Sequence, residues 1–375
     1  MTGSRTVRFP VAVLAAFAVF VASARETVVW EGDRTIDSAV KMLAKDLLVR
    51  PGAMVRFVGE GRIDLREGTL TATNVTFIGE GVLTNAWRIS VLDGGLRLEG
   101  CRMHGMKCVE PEKGSRWYVG AVRVQGEPVR IARCDVEESS GIAVVNAKDA
   151  EVERNVFVKC SPGLFAFQTK VGRFSRNAFF ECGGEALIVN GAQETEFSDN
   201  RFTDCDRGVN GFTSRRCRFV GNSFFGGTAG VVLWWSASGN LFSANLFEDV
   251  KGAAFAAHYP LGTDNVFANN LVSRCGCGWG LGKQKPKVRI AVRDNAIAET
   301  TTGISVAEGR VDAPNNAFWR VRTPVSARDG ADVSTPAAVT GDPRFKDVER
   351  GDYRLKPDSP LWGAGATGGN IGLYQ

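Results

Sequence analysis

Trp235, His258 with its neighbour Tyr259, and Lys283 follow one another at intervals of 23 and 25 residues, and their side chains suit one kind of chemistry. An imidazole, a phenol or an ammonium can take the proton from the carbon beside a carboxylate while a cation neutralises that carboxylate. An indole supplies a flat, largely apolar surface for a sugar ring. The set fits β-elimination on a uronate chain: His258, Lys283 or Tyr259 as base, the remaining cation or Arg123 as neutraliser, Trp235 as stacking surface. Lys285 and Lys287 add positive charge on the following turn. The plainer reading is a surface histidine at a strand end and a solvated lysine. Hydrolysis is less well supplied, because it needs two carboxylates about 5 to 9.5 Å apart and only Glu308 and Glu185 offer themselves nearby.

These residues can meet only if the chain repeats, and it does. Asn155, Asn177, Asn200, Asn222, Asn245, Asn270, Asn295 and Asn316 recur every 21 to 25 residues, each followed two residues later by Phe157, Phe179, Phe202, Phe224, Phe247, Val272, Ile297 or Phe318. Eight residues after each of the first seven comes Gly163, Glu185, Gly208, Gly230, Ala253, Gly278 or Gly303, and then a short apolar run. Such a period is the mark of a solenoid. The segment is rich in Phe, Val, Asn and Gly and shows no 3.6-residue pattern. Parallel strands about 4.8 Å apart would stack the amides into a bonded column and the phenyl rings into a core ladder. The expected fold is all-β: a right-handed parallel β-helix with about ten or more coils of 21 to 25 residues.

The fifth residue after each glycine equivalent then forms another column: Gln125, Asn146, Gln168, Asn190, Thr213, Trp235, His258, Lys283, Glu308. Strict alternation puts that column outside with the first and third strand residues, so Phe165, Phe167, Phe212, Trp234 and Phe255 are expected in the core. The opposite parity would make them a sugar platform. The candidate substrate-binding residues are Trp235, Asn190, Gln168, Arg123 and Trp117; the last lies in an oversized coil, where about eleven extra residues fall within Met106 to Tyr118. Insertions of that kind gather on one face of a solenoid and often wall a binding site.

Residues 1–24 read as a signal peptide: Arg5 and Arg8, the apolar run Val11 to Val21, and Ala22-Ser23-Ala24 before Arg25. The run is too short to span a bilayer, so a soluble secreted or periplasmic monomer without a transmembrane anchor is expected. Residues 25–73 read as an N-terminal cap and first coils, with a short helix through Ile36, Val40, Leu43 and Leu47 as an alternative. Residues 74–330 read as the helix proper, its ladder beginning at Asn74, Cys101 and Cys134, and 331–375 as a closing segment. The 44 glycines suit tight corners. The formal charge of +5 falls to +3 without Arg5 and Arg8, which gives no sign of nucleic-acid binding and is compatible with an acidic polysaccharide. Cys160, Cys182, Cys205 and Cys275 fall five residues after ladder asparagines, so the nine cysteines are read as mostly free and inert, with one bridge conceivable at Cys275 and Cys277. No metal site or cofactor is expected; Asp199, Asp204 and Asp206 could hold calcium but read more simply as solvent-facing turns.

The series Asp342-Pro343-Arg344-Phe345, Gly351-Asp352-Tyr353-Arg354-Leu355, Ser359-Pro360 and Ile371-Gly372 resembles the terminal segment of exported bacterial right-handed β-helix proteins of the pectate-lyase-like superfamily, and the N-x-F coils resemble their repeat. The resemblance covers nearly all the mature chain. It implies a groove along the sheet that follows the glycines, and carbohydrate as ligand. It leaves activity open, since that superfamily contains lyases, hydrolases, epimerases and proteins without catalysis. The expected function is binding of an anionic polysaccharide with lyase-like elimination; the alternative is a non-catalytic envelope or surface scaffold.

Overall fold

A computed structural model describes residues 25–84, 86–109, 120–285, 288–328 and 330–373. The chain winds as a right-handed parallel β-helix whose coils each contribute one short strand to three sheets. One coil shows the scheme: Leu164–Phe167 lies in the first sheet, Arg173–Ser175 in the second, Ala178–Phe180 in the third. The third sheet has 14 strands, from Arg34–Ile36 to Val339–Thr340. The eleven-residue strand Thr302–Asp312 runs through a corner and joins the other two sheets into one 26-stranded unit. No helix occurs among the described residues, and none there is long and apolar enough to cross a membrane.

Side-chain columns hold the coils in register. Each ladder asparagine from Asn155 to Asn295 donates its amide Nδ2 to Oδ1 of the next, at 2.9 to 3.0 Å. The same Oδ1 also takes the backbone N–H of the preceding ladder residue, as in Asn200 N to Asn222 Oδ1 at 3.0 Å. A corner that cannot pair backbone to backbone thereby satisfies its polar groups internally. Beside it, Phe157, Phe179, Phe202, Phe224 and Phe247 stack with centroids 4.5 to 4.9 Å apart. A second file, Phe174, Phe197, Phe219, Phe242 and Phe267, lines the second sheet at 4.6 to 5.1 Å. A shorter amide ladder, Asn240 to Asn265 at 3.0 Å, closes the corner between the first and second sheets.

Several expectations need correction. Cys134 does hold the ladder position, its N–H bonded to Asn155 Oδ1 at 2.9 Å, with Cys101 one coil earlier. Asn74, however, sits one residue too early, in the left-handed corner at φ 52°, and Val75 occupies the ladder position. Residues 39–49 form strands Ala39–Leu43 and Lys45–Val49 and no capping helix; their burial alternates residue by residue, Met42 between exposed Lys41 and Leu43 and Leu48 between buried Leu47 and Val49, which is the period of a strand. All nine cysteines are free, so Cys275 and Cys277 do not bridge.

The terminal motif folds back as a strap over the outer face of the third sheet. Phe345–Asp347 pairs antiparallel with Asp352–Leu355. The motif residues Phe345, Tyr353, Leu355 and Ile371 bury themselves against Leu271, Ala296, Ala298 and Ala317. Tyr353 donates its hydroxyl to Glu248 Oε1 at 2.8 Å, and Arg274 pairs with the same carboxylate. That strap covers the last coils of the third sheet, from Leu246 to Val339, and does not lie on the first sheet's outer face.

Candidate functional site

Register decides which side chains share the outer face of the first sheet. Leu164, Leu187, Val209, Val231, Phe255, Trp279 and Ile304 pair in sequence and point inward. The first and third residues of each strand are therefore core, and the second and fourth face out. This reverses the expected parity: Phe165, Phe167, Phe212 and Trp234 lie on the outer face, and only Phe255 is core. The reason is the corner. Residue five takes a left-handed conformation, φ 51° at Asn146, 50° at Gln168, 47° at Thr213 and 26° at Trp235. That turn breaks strict alternation, so residues four and five both face outward.

The expected column also mixed two registers. The residue equivalent to Gly163 is Ala186, not Glu185, and in the later coil Ala254, not Ala253. Gln125, Asn190 and His258 consequently stand in the fourth-residue column with Val145, Phe167, Phe212 and Trp234. Tyr259 and Lys283 fall in the corner column with Asn146, Gln168, Gly191, Thr213 and Trp235. Gly282 lies against the carbonyl of His258, so Lys283 is opposite Tyr259.

Those shifts assemble an aromatic platform. The Trp234 ring lies 5.8 Å from Trp235, 5.1 Å from His258 and 5.6 Å from Tyr259, centroid to centroid. Trp235 and Tyr259 approach to 4.9 Å, and Phe212 stacks 6.0 Å below Trp234. Trp235 and Tyr259 are 49% and 43% exposed, large for aromatic rings, and leave open faces. Trp234 is anchored: its indole N–H donates to Asn210 Oδ1, Asn210 Nδ2 donates to Glu185 Oε1 at 3.0 Å, and Arg207 pairs with that carboxylate at 2.9 Å. Farther along the face, Ala143, Val145, Phe165 and Ile188 form a separate apolar cluster under Trp87, Phe167 and Phe212.

The remaining candidates disperse along the groove. Lys283 is largely exposed and its Nζ lies 3.2 Å from Glu308 Oε2. Arg123 sits six coils from His258, roughly 29 Å at rung spacing, which is too far to neutralise a carboxylate whose proton His258 takes. It donates to Gln125 Oε1 at 2.7 Å and lies 6.0 Å from the Trp87 ring, and burial draws its pKa below the ordinary guanidinium value. Asn190 and Gln168 are three and four coils from His258 and Tyr259, in reach of a bound polymer but not of its reacting bond. Trp117 and Lys287 lie outside the described residues, and Lys285 is exposed. Of the oversized coil, Lys107–Val109 pairs with Val82–Thr84, and residues 110–119 lie outside the described residues. Asp199, Asp204 and Asp206 are exposed, and Asp206 accepts the Gly184 N–H at 3.1 Å. Among the described residues no group of three His, Cys, Asp or Glu side chains could hold a metal ion.

Trp234, expected in the core, is the centre of the platform; Glu185, expected only as a nearby carboxylate, stands behind it with Asn210, which the sequence did not single out. The signal was present as the Trp234-Trp235 pair followed one coil later by His258-Tyr259.

The architecture defines the class: a right-handed parallel β-helix with an open outer face on its first sheet. The family model for the right handed beta helix region matches residues 66–224 and 169–318, more than half of the chain, and the chain belongs to that family. No curated protein sequence matches it. Among solved structures, a double mutant of the periplasmic alginate epimerase AlgG is similar at TM-score 0.52 and 10% identity, over 83% of this chain and 85% of that one. A hyperthermoactive exopolygalacturonase from Thermotoga maritima aligns at TM-score 0.45 and 8% identity, over 83% and 93%. The alginate lyase AlyF-OU02 in complex with G6 aligns at 0.40 and 12%, over 94% and 91%. At such identities the likeness is one of fold.

Proposed function

We propose that this protein binds an anionic polysaccharide along the outer face of its first sheet, outside the cytoplasm, and cleaves it by β-elimination at the aromatic platform. The observation that carries the reading is the ring cluster of Phe212, Trp234, Trp235, His258 and Tyr259, half open to solvent on a groove that the strap leaves free. Rings at this spacing suit sugar faces, and a histidine among them places a base next to a stacked ring. In the proposed step His258 takes the proton beside the uronate carboxylate, its electron pair becomes the new carbon–carbon double bond, and the glycosidic oxygen leaves with a proton from Tyr259. Lys283 offsets the carboxylate's charge once it exchanges Glu308 for substrate. The AlgG similarity supports an acidic polymer as the substrate class, through its name alone.

One feature favours a second reading, a non-catalytic glycan-binding scaffold: Lys283 is already engaged by Glu308. A panel of uronate polymers separates the two. Elimination gives an unsaturated product with rising ultraviolet absorbance in the wild type and none in His258→Ala. The scaffold reading gives binding without product in both. Product formation undiminished in both His258→Ala and Lys283→Ala would remove the proposed site.

A further inference from the structure

Beside the platform, at the corner between the first and second sheets, a cleft of about 640 Å³ runs over four coils. Its backbone is a set of parallel bridges, Lys148 to Lys170, Lys170 to Gln193 and Gln193 to Arg215, so these residues stack one per rung. Two residues upstream in each coil stand Asn146, Gln168, Gly191 and Thr213, which line the same cleft. Between the two files Ala147, Thr169, Ala192 and Ser214 point inward and are buried, small enough to let the corner close. Gly191, at φ 66°, has no side chain, and the Gln168 side chain lies over it, with Cγ 3.2 Å from where a Cβ would stand.

The charge here is one-sided. Lys148, Lys170 and Arg215 are exposed, and no carboxylate lines the cleft. Lys148 has Asp149 Oδ2 at 3.9 Å, and its backbone N–H donates to Glu127 Oε1 at 3.1 Å at the cleft's end. Lys170 and Arg215 have no acidic partner among the described residues. Arg216, next to Arg215, is taken by Glu194, so the neighbouring acids are already committed to the second-sheet side. Lys148 and Lys170 stand on adjacent rungs, where like charges repel, and Arg215 follows two rungs on, past Gln193, so the file is relieved by an anion with several charges spaced along the axis.

The corner file does not stop at Thr213. It continues into Trp235 and Tyr259, so the cation-lined cleft leads directly onto the aromatic platform. We infer that the corner cleft is an anchoring subsite for a linear polyanionic glycan with one carboxylate per sugar, laid parallel to the solenoid axis. Lys148 and Lys170 take carboxylates on adjacent rungs and Arg215 takes one two rungs beyond Lys170, in two-pronged fashion, while Asn146, Gln168 and Gln193 bond sugar hydroxyls. The inference rests on the proposed function for the direction in which the chain continues, and adds to it the charge pattern of the bound polymer and a requirement for several consecutive acidic sugars on one side of the reacting bond.

The test is binding of a polyuronate, a sulfated glycan and a neutral glycan to the full chain, measured by titration calorimetry at low and high salt. The triple variant Lys148→Gln, Lys170→Gln, Arg215→Gln, all exposed positions, is expected to bind polyuronate at least tenfold more weakly and with a flatter salt dependence. Trp235→Ala is expected to weaken binding while keeping the wild-type salt dependence. Unchanged polyuronate affinity in the triple variant, with loss in Trp235→Ala, overturns the anchoring cleft and leaves the platform standing. Loss in the triple variant with none in Trp235→Ala upholds the cleft and removes the platform. Preference for the sulfated or the neutral polymer overturns the carboxylate assignment.

Discussion

A methyl group built on Gly208 would stand 2.5 Å from the ring carbons of Phe224 and 2.8 Å from the carbonyl of Gly230. The same relation links Gly163 to Phe179, Gly230 to Phe247 and Gly303 to Phe318. The glycine register and the phenylalanine register are thus one feature: the ring of each coil fills the space where a side chain of the preceding coil would begin. Gly208→Ala should therefore destabilise the fold by about 1 to 3 kcal/mol through overpacking. Adding Phe224→Leu should return part of that loss, which a urea titration of the single and double variants would reveal; strict additivity would contradict the relation.

The phenyl file itself sets a second expectation. Phe224 lies between Phe202 and Phe247 with centroids at 4.7 and 4.5 Å, so Phe224→Ala should cost about 3 to 5 kcal/mol. Phe345 packs in the strap, edge-on to Tyr353. Phe345→Ala should loosen the strap locally and cost less in global unfolding. Equal costs by chemical denaturation would count against a solenoid stabilised from its centre.

Asn222 accepts both the backbone N–H and the Nδ2 of Asn200 and donates to Phe197 O and Asn245 Oδ1. Asn222→Ala strands several buried groups, each worth about 1 to 3 kcal/mol when left unpaired. A loss of about 3 kcal/mol or more is expected, with hydrogen exchange of the Asn200 amide accelerated relative to Asn295. An exchange rate unchanged at Asn200 would show that the ladder does not carry the corner.

Asn210 holds the Trp234 indole and is itself held by Glu185. Asn210→Ala removes a bond worth about 0.5 to 1.5 kcal/mol, so glycan affinity should fall roughly 2- to 10-fold and Trp234 emission should shift as the ring gains freedom. Wild-type affinity and emission in the variant would mean that the indole needs no anchor.

The buried thiols give a pH dependence of definite sign. Burial pushes Cys160 and Cys217 up to about 11 and Cys275 to about 12, whereas a thiol in the unfolded chain titrates near about 8.5. The folded state holds these protons where the unfolded state has released them. Their contribution is complete below about pH 8.5 and is lost as pH rises towards 11, at up to about 1.4 kcal/mol per pH unit for each thiol. Denaturation at pH 8 and pH 10 should show the decline, reduced in Cys217→Ala. At pH 8 a thiol reagent should leave Cys160, Cys217 and Cys275 of the native protein unlabelled, and rapid labelling at those positions would contradict their burial.

Asn155 to Asn316 and their companion phenylalanines were legible because a solenoid brings chemically equal residues into contact, so its packing is written as a period along the chain. The second phenyl file is written just as regularly, each ring three residues before a ladder asparagine from Asn177 to Asn270, whereas the ladder at Asn240 and Asn265 spans too few coils to stand out as a period. The candidate site was read only in part. Trp235 and His258 were read into one column with Tyr259 as a mere neighbour, because Glu185 and Ala253 stand one residue before the true small residues, Ala186 and Ala254. A slip of one residue transfers a side chain from one file to the next.

The chain by itself determined the coil, its length and its columns, because identical contacts repeated at one rung require identical residues at one spacing. Which face each aromatic ring occupies was decided only by the three-dimensional corner, where a left-handed residue lets two consecutive side chains turn outward. The strap's seat on the third sheet is likewise tertiary, since it joins Tyr353 to Glu248 across 105 residues. Contacts of that kind leave no period in a sequence, and they set the strap on the third sheet and not on the first.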